Sequence, residues 1–302
     1  MSIDFYNKTE NFLKRKATAN GVSHLEKYYK VTDTKLGWYQ TFKGSEIAIC
    51  FAQLAFHAQN ATMISNIVKF QEKFEFLFDV CCGFEPSTFL SKYCPSSRTT
   101  EEQISTIVEA LRYSEETNPN GLVWDTSKSE KKDSMAKRYA KALINGAKYL
   151  SQFRTKHELL KDLKDHNTLY KRGKKTDNNR NLIYYFMNQM GEGSGFSVAL
   201  TCDYLKELDV TFNNLAKPDI HIMDVMAAFK HLPDNHYYNG KANALKCLSD
   251  FQDLVKDINK ELPADKQITV YQLDRMIWLI CSGKFFLDTV GLEKQDYINE
   301  IS

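Results

Sequence analysis

Two short segments carry residues whose types and spacing suit chemistry. In the first, Gly191, Gly193 and Gly195 alternate with Glu192 and Ser194 between two apolar stretches. Glycine adopts positive φ easily and leaves its backbone N–H uncovered, so such a turn at the start of a helix can bind an anion. With basic neighbours, the expected anion is a phosphate. An ordinary turn between two helices explains the same glycines.

The second segment is Pro218-Asp219-Ile220-His221, ahead of an apolar stretch. Aspartate is a favoured N-cap residue, so Asp219 can simply cap the helix that starts here. The same position lets the helix dipole and backbone N–H groups keep the carboxylate ionised beside apolar surroundings. We expect His221 to be structural, with a backbone hydrogen-bond partner. Asp224 lies about 140° further around the helix, so we expect it outside any site at Asp219.

The elements that must position these segments are helices. Only 13 glycines and 6 prolines occur in 302 residues, and apolar residues recur with helical periodicity almost throughout. Thr155 with Glu158, and Thr269, have the positions of helix caps. Residues 83–120 are expected to be a loop-rich insertion around one helix. The sequence therefore predicts an all-α fold, with helices at 46–58, 61–79, 100–114, 133–153, 156–164, 182–190, 196–208, 240–261 and 269–282.

Composition excludes several classes of protein. An apolar fraction of 43% with 26% charged residues excludes disorder. The N-terminus lacks the pattern of a secretory signal, and no apolar run is long enough to cross a membrane. We therefore expect a cytoplasmic protein, or a nuclear one in a eukaryote. The seven cysteines include no C-x-x-C pair, which favours reduced thiols over disulfides or zinc ligands.

Charge gives weaker information about partners. The net charge of +2 is too small to indicate nucleic acid by itself. Basic residues concentrate at 128–138 and 170–180, where few apolar residues occur. Each stretch fits a solvated surface, and each also fits a track for phosphates.

Together the two segments resemble the helix-hairpin-helix DNA glycosylases, the family that includes endonuclease III. In that family a G-x-G hairpin joins two helices, a small residue follows, and an Asp-x-His begins a later helix. Gly193-Ser194-Gly195, Ala199 and Asp219-Ile220-His221 match this order. The stretch His57-Ala58-Gln59-Asn60-Ala61-Thr62 is similar to the one whose glutamine enters the duplex in place of the flipped nucleotide, so Gln59 is the matching candidate. A plain turn between helices explains this shorter match as well.

The chain departs from the family pattern at informative places. Ser197 stands where the bifunctional members carry a Schiff-base lysine, so lyase activity is not expected. The four-cysteine iron–sulfur motif is missing, because only Cys247 and Cys281 occur near the C-terminus. The spacing from hairpin to aspartate is longer than in compact members. We expect neither a cofactor nor a metal ion.

The resemblance implies a two-lobed fold in which residues 45–205 form a helical domain with the hairpin. Residues 1–44 and 206–302 would form the second domain, which carries Asp219. The implied activity is that of a monofunctional DNA glycosylase, in which Asp219 activates water and stabilises the cationic transition state. The alternatives are a non-catalytic helix-hairpin-helix DNA-binding protein and a helical interaction protein without nucleic acid.

The implied partner is double-stranded DNA, bound by a monomer that makes no membrane contact. The implied DNA-binding residues lie in or next to the hairpin, at the position that enters the duplex, or in the basic loop that precedes the hairpin. They are Gln59, Gly193, Ser194, Gly195, Ser197, Lys171, Arg172, Lys174 and Lys175.

Overall fold

The computed structural model describes residues 1–22, 25–30, 44–58, 75, 77–117, 135–168, 178–282, 284–285, 288–289 and 294–302. The fold is all-α, which confirms the predicted class. The helices are α1 (Ser2–Ala19), α2 (Glu26–Tyr29), α3 (Glu46–Ala58), α4 (Pro86–Tyr93), α5 (Thr100–Thr117), α6 (Met135–Leu150), α7 (Lys156–Thr168), α8 (Asn178–Met190), α9 (Val198–Leu208), α10 (Ile220–Phe229), α11 (Lys241–Glu261), α12 (Val270–Ser282) and α13 (Lys294–Ile301). Short 3₁₀-helices lie at Cys82–Phe84, Val210–Phe212, Asn235–Tyr238 and Ala264–Lys266. The strands β1 (Lys284–Phe285) and β2 (Asp288–Thr289) pair antiparallel, with Lys284 opposite Thr289.

Two helices begin at the caps that the sequence predicts. At α7, the Thr155 hydroxyl accepts a hydrogen bond from the Glu158 backbone N–H at 3.2 Å. The Glu158 carboxylate accepts from the backbone N–H of Arg154 at 2.7 Å. At α12, Gln272 donates its backbone N–H to the Thr269 hydroxyl, and its side chain accepts from the backbone N–H of Thr269. These bonds satisfy N–H groups that a helix N-terminus leaves without intrahelical partners.

The segment from 83 to 120 contains more helix than the sequence analysis expects. The helix α4 begins at Pro86, within a stretch that its prolines and its serine, threonine and asparagine residues predict to be loop-rich. Proline suits the first helical turn, where its missing N–H costs no intrahelical bond. A turn with positive φ at Cys82, Gly83 and Phe84 precedes this helix.

The chain divides into two compact units, each with its own core. The first comprises Met1–Lys35 and Leu205–Ser302, and the second comprises Leu36–Tyr204. The boundaries predicted from the sequence lie at 45 and 205. The second division point falls inside α9.

In the second unit, α3 packs against α6. As the sequence predicts, α3 is buried on most faces, and Phe51 has no exposed surface. A Cβ on Gly146 of α6 would lie 2.7 Å from Leu54 Cδ2, so the close approach of the two helices requires glycine. The Tyr204 hydroxyl of α9 donates to the backbone oxygen of Cys50 at 3.3 Å. The helix that leads out of the hairpin is thereby attached to α3.

In the first unit, α1 packs with the C-terminal helices. Phe5 meets Phe229 edge to face with ring centroids 5.0 Å apart, and the Thr9 and Tyr297 hydroxyls share a hydrogen bond of 2.7 Å. Lys206 and Asp274 form a buried ion pair at 2.5 Å, with side chains 4% and 3% exposed. Because neither charge can reach water, each is stabilised by its partner, and separating the two would be costly.

The seven cysteines are free thiols, and five of them are buried. Among the residues with described structure, no group of three or more metal-binding side chains comes together. None of the described helices combines the length and the apolar composition that crossing a membrane requires.

Candidate functional site

The glycine-rich turn joins α8 to α9. Gly191, Gly193 and Gly195 have φ values of +71°, +76° and +83°. Residues other than glycine rarely adopt this left-handed backbone conformation, so the path of the backbone explains the alternating glycines. The resulting element is a helix, a tight hairpin and the first part of a second helix, in the second unit.

The serines of the hairpin have different roles in it. Ser194 is only 2% exposed, and its hydroxyl donates to the backbone oxygen of Gly191 at 2.9 Å. The same hydroxyl accepts from the Phe196 backbone N–H at 3.3 Å, so the side chain holds the turn together. Ser197 is exposed, and its hydroxyl faces the backbone N–H of Leu200 at 3.5 Å, as at a helix start.

The hairpin leaves backbone donors open. Gly193 and Gly195 are exposed, and their N–H groups have no hydrogen-bond acceptor within the ranges that the structure covers. Two open N–H groups, separated by one residue and ahead of a helix N-terminus, form a partial positive charge that suits an anion.

Two residues of α6 that the sequence analysis does not single out contact the hairpin. The Asn145 amide donates to the backbone oxygen of Met190 at 2.7 Å. The Lys141 ammonium would lie 3.2 Å from a Cβ placed on Gly193. The signal available in the sequence is that Lys141 and Asn145 are four residues apart on the polar face of an amphipathic helix. That spacing shows a shared face but not what covers it.

Asp219 lies in the first unit as the N-cap of α10. Its Oδ1 atom accepts from the backbone N–H of His221 at 2.9 Å and from that of Ile222 at 3.3 Å. Its own backbone N–H donates to the oxygen of Lys217 at 2.7 Å. Oδ2 has no hydrogen-bond partner in the described part of the chain. The carboxylate is therefore fixed through one oxygen, and the other is open to a ligand or water.

His221 differs from the expectation. We expect a backbone partner for its ring, yet the Nδ1 atom is buried without a hydrogen-bond partner among the described residues. Burial lowers the pKa of His221, while the nearby Asp219 carboxylate raises it and the Lys294 ammonium lowers it. The net direction is downward, so the ring beside Asp219 is neutral at neutral pH.

Asp224 has partners of its own on the same helix. Its carboxylate accepts from the Lys294 ammonium and from the Asn235 side-chain amide. Both oxygens of Asp224 are thus engaged. This ion pair joins α10 to α13 and leaves Asp219 as the carboxylate with an open oxygen at the start of α10.

Several predicted residues fall outside the described ranges. They are Gln59, Lys171, Arg172, Lys174 and Lys175. His57, two residues before Gln59, lies near the end of α3. Its Nδ1 atom bonds the backbone oxygen of Gln53 at 2.8 Å, and its Nε2 atom lies 4.0 Å from Asp203 Oδ2.

Comparison with known proteins adds no further assignment. No protein-family model, curated protein or solved structure matches the chain. The geometry above therefore carries the argument for function.

Proposed function

We propose that the protein is a monofunctional DNA glycosylase that hydrolyses the N-glycosidic bond of a damaged or modified base in duplex DNA. The observation that carries this proposal is the state of Asp219. Backbone N–H groups of α10 hold one carboxylate oxygen, while the other has no partner among the described residues. A fixed, ionised acid with an open oxygen is what stabilisation of a cationic sugar requires.

The reaction uses Asp219 in two ways. As the C1′–N bond breaks, its electron pair leaves with the base, and positive charge develops on C1′ and the ring oxygen of the flipped nucleotide. The Asp219 carboxylate stabilises this charge. Water then attacks C1′ and gives its proton to Asp219, and the departing base takes a proton from solvent.

The hairpin supplies affinity for DNA rather than chemistry. The open N–H groups of Gly193 and Gly195 bind phosphate oxygens. Ser197 occupies the position where a lysine would form a Schiff base, so the proposed enzyme releases the base without cleaving the strand. Gln59 enters the duplex, and the basic loop adds phosphate contacts through Lys171, Arg172, Lys174 and Lys175.

A second function is supported by a specific observation. Asp234 caps a 3₁₀-helix by accepting from the His236 backbone N–H at 2.8 Å, much as Asp219 caps α10. Capping alone thus accounts for an aspartate at such a position. A non-catalytic DNA-binding protein, monomeric like the proposed enzyme, would use the same hairpin and need Asp219 only as a cap.

The deciding experiment is mass spectrometry of bases released from a panel of damaged and modified duplexes. Wild-type protein is compared with Asp219→Asn, because asparagine caps helices about as well as aspartate. Loss of one electrostatic contact to a transition state lowers rates by roughly 100-fold or more. We expect base release by the wild type and none above background by Asp219→Asn.

Asp234→Asn is the matched control, since it makes the same change at another cap in the same unit. We expect it to release bases at the wild-type rate. If wild type and Asp219→Asn both leave every duplex intact but bind it, the non-catalytic function is supported instead. Absence of duplex binding by the wild type would remove both proposals.

A further inference from the structure

The hairpin lies against a polar stripe of α6. Arg138, Lys141 and Asn145 are spaced by three and four residues, which places them on one face of the helix. The opposite face is buried, with Tyr139, Leu143 and neighbouring residues in the core. A solvated helix face would account for the stripe if nothing covered it.

Contacts with all three glycines show that the hairpin covers this stripe. A Cβ on Gly191 would lie 2.8 Å from the Asn145 amide nitrogen, and one on Gly193 would lie 3.2 Å from the Lys141 ammonium. The position on Gly195 lies 4.0 Å from Arg138 Cβ. The Asn145 side-chain amide also donates a hydrogen bond to the backbone oxygen of Met190, the last residue of α8. Each residue of the stripe therefore lies beside one glycine of the turn.

The two cations of the stripe lack the acidic partners found elsewhere in the chain. Lys206, Lys230 and Lys294 each pair with an aspartate. Neither Arg138 nor Lys141 forms an ion pair with a carboxylate in the ranges that the structure describes. The Lys141 ammonium and the start of the Arg138 side chain thus lie beside the turn that carries two open N–H groups, an arrangement that a bound anion would complete.

We infer that Arg138 and Lys141 form, together with the N–H groups of Gly193 and Gly195, one binding site for a phosphodiester of duplex DNA. The N–H groups orient the phosphate oxygens through directional hydrogen bonds. The cations attract the phosphate, and because their binding releases counterions from the DNA, the affinity depends on salt concentration. The inference rests on the proposed function for its DNA partner, but it does not require base release.

The test measures duplex affinity between 50 and 200 mM salt for wild type, Arg138→Gln, Lys141→Gln and the double variant. Each lost phosphate contact lowers the slope of log affinity against log salt by about 0.9. We expect a slope smaller by about 1.8 for the double variant, and about an eightfold loss of affinity per substitution near 0.1 M salt. Lys164→Gln, an exposed lysine of α7 in the same unit, is the matched control and is expected to keep the wild-type slope.

A substitution that should raise duplex affinity complements those that should lower it. Glu192 is an exposed carboxylate within the turn, so Glu192→Gln removes repulsion from a bound phosphate and is expected to raise affinity. Thermal unfolding midpoints of all variants show that each one folds. Wild-type slopes in both Arg138→Gln and Lys141→Gln would overturn the inference.

The outcomes distinguish this inference from the proposed enzyme. Reduced slopes without base release from any duplex support the phosphate site and contradict the glycosylase. Base release by a wild type whose slope is insensitive to both substitutions supports the glycosylase and contradicts the phosphate site. A wild type that does not bind duplex DNA contradicts both.

Discussion

Replacing Asp219 by alanine and by asparagine separates its structural role from its proposed chemical role. The carboxylate accepts two backbone hydrogen bonds at the start of α10, at 2.9 and 3.3 Å. Alanine removes both bonds, and an N-cap substitution of this kind costs about 1 kcal/mol of the free energy of unfolding. Asparagine keeps an acceptor oxygen and loses only the attraction of the charge to the helix dipole, about 0.5 kcal/mol.

Urea unfolding followed by circular dichroism at pH 7 measures these differences. With a denaturant slope of roughly 2–3 kcal/mol/M for a chain of this size, Asp219→Ala shifts the midpoint down by about 0.4 M. The shift for Asp219→Asn should be about half as large. Base release should be lost equally in both variants, although only one of them loses the cap.

Either of two results would refute this reasoning. If Asp219→Asn is destabilised as much as Asp219→Ala, the carboxylate stabilises the fold by something other than the two N–H bonds. If Asp219→Asn releases bases at the wild-type rate, the negative charge is not needed in the transition state. The cap would then be the whole explanation of the residue.

Two further predictions concern buried groups of the first unit. Because burial lowers the pKa of His221 below its unfolded value of 6.5, the unfolded chain takes up its proton first as pH falls, and stability from this residue declines below pH 6.5. Urea midpoints of His221→Asn measured at pH 7.5 and 5.5 should therefore differ less than those of the wild type. Lys206→Met removes the cation beside the buried Asp274 carboxylate and should lower the free energy of unfolding by about 3–5 kcal/mol. The double variant Lys206→Met/Asp274→Leu should recover most of that loss in the same urea assay, and no recovery would contradict the assignment of the cost to a buried charge.

Local features of the fold follow from the sequence because their causes are local. Thr155 and Thr269 lie at helix starts, since their hydroxyls can accept from N–H groups three residues on. The alternating glycines of the hairpin have positive φ, which only glycine adopts without strain. The helix at Pro86 was the exception, because proline is compatible both with a loop and with a first helical turn.

Features of the candidate site that depend on packing could not be predicted in this way. The contact of Lys141 with Gly193 joins residues of different helices, and no periodicity links them. Arg138 belongs to a basic stretch whose sequence fits both a solvated surface and a track for phosphates, and only the tertiary structure places it beside Gly195. The Nδ1 atom of His221 has no hydrogen-bond partner among the described residues, and this too depends on what surrounds the start of α10. Sequence patterns report the face on which a residue lies, whereas tertiary structure decides what covers that face.

Asp219 and Asp234 both cap helices of the first unit, but their carboxylates differ in how the second oxygen is used. Asp234 uses one carboxylate oxygen for the His236 backbone and has the other 3.2 Å from the His236 ring nitrogen, so both of its oxygens are engaged. At Asp219 the corresponding histidine, His221, supplies its backbone N–H, but its ring is held neutral by burial. A residue needed only as a cap gains from its negative charge only the attraction to the helix dipole, so asparagine would serve there nearly as well. The dependence of base release on that charge, measured in a variant that keeps the cap, therefore decides between a catalytic and a structural aspartate.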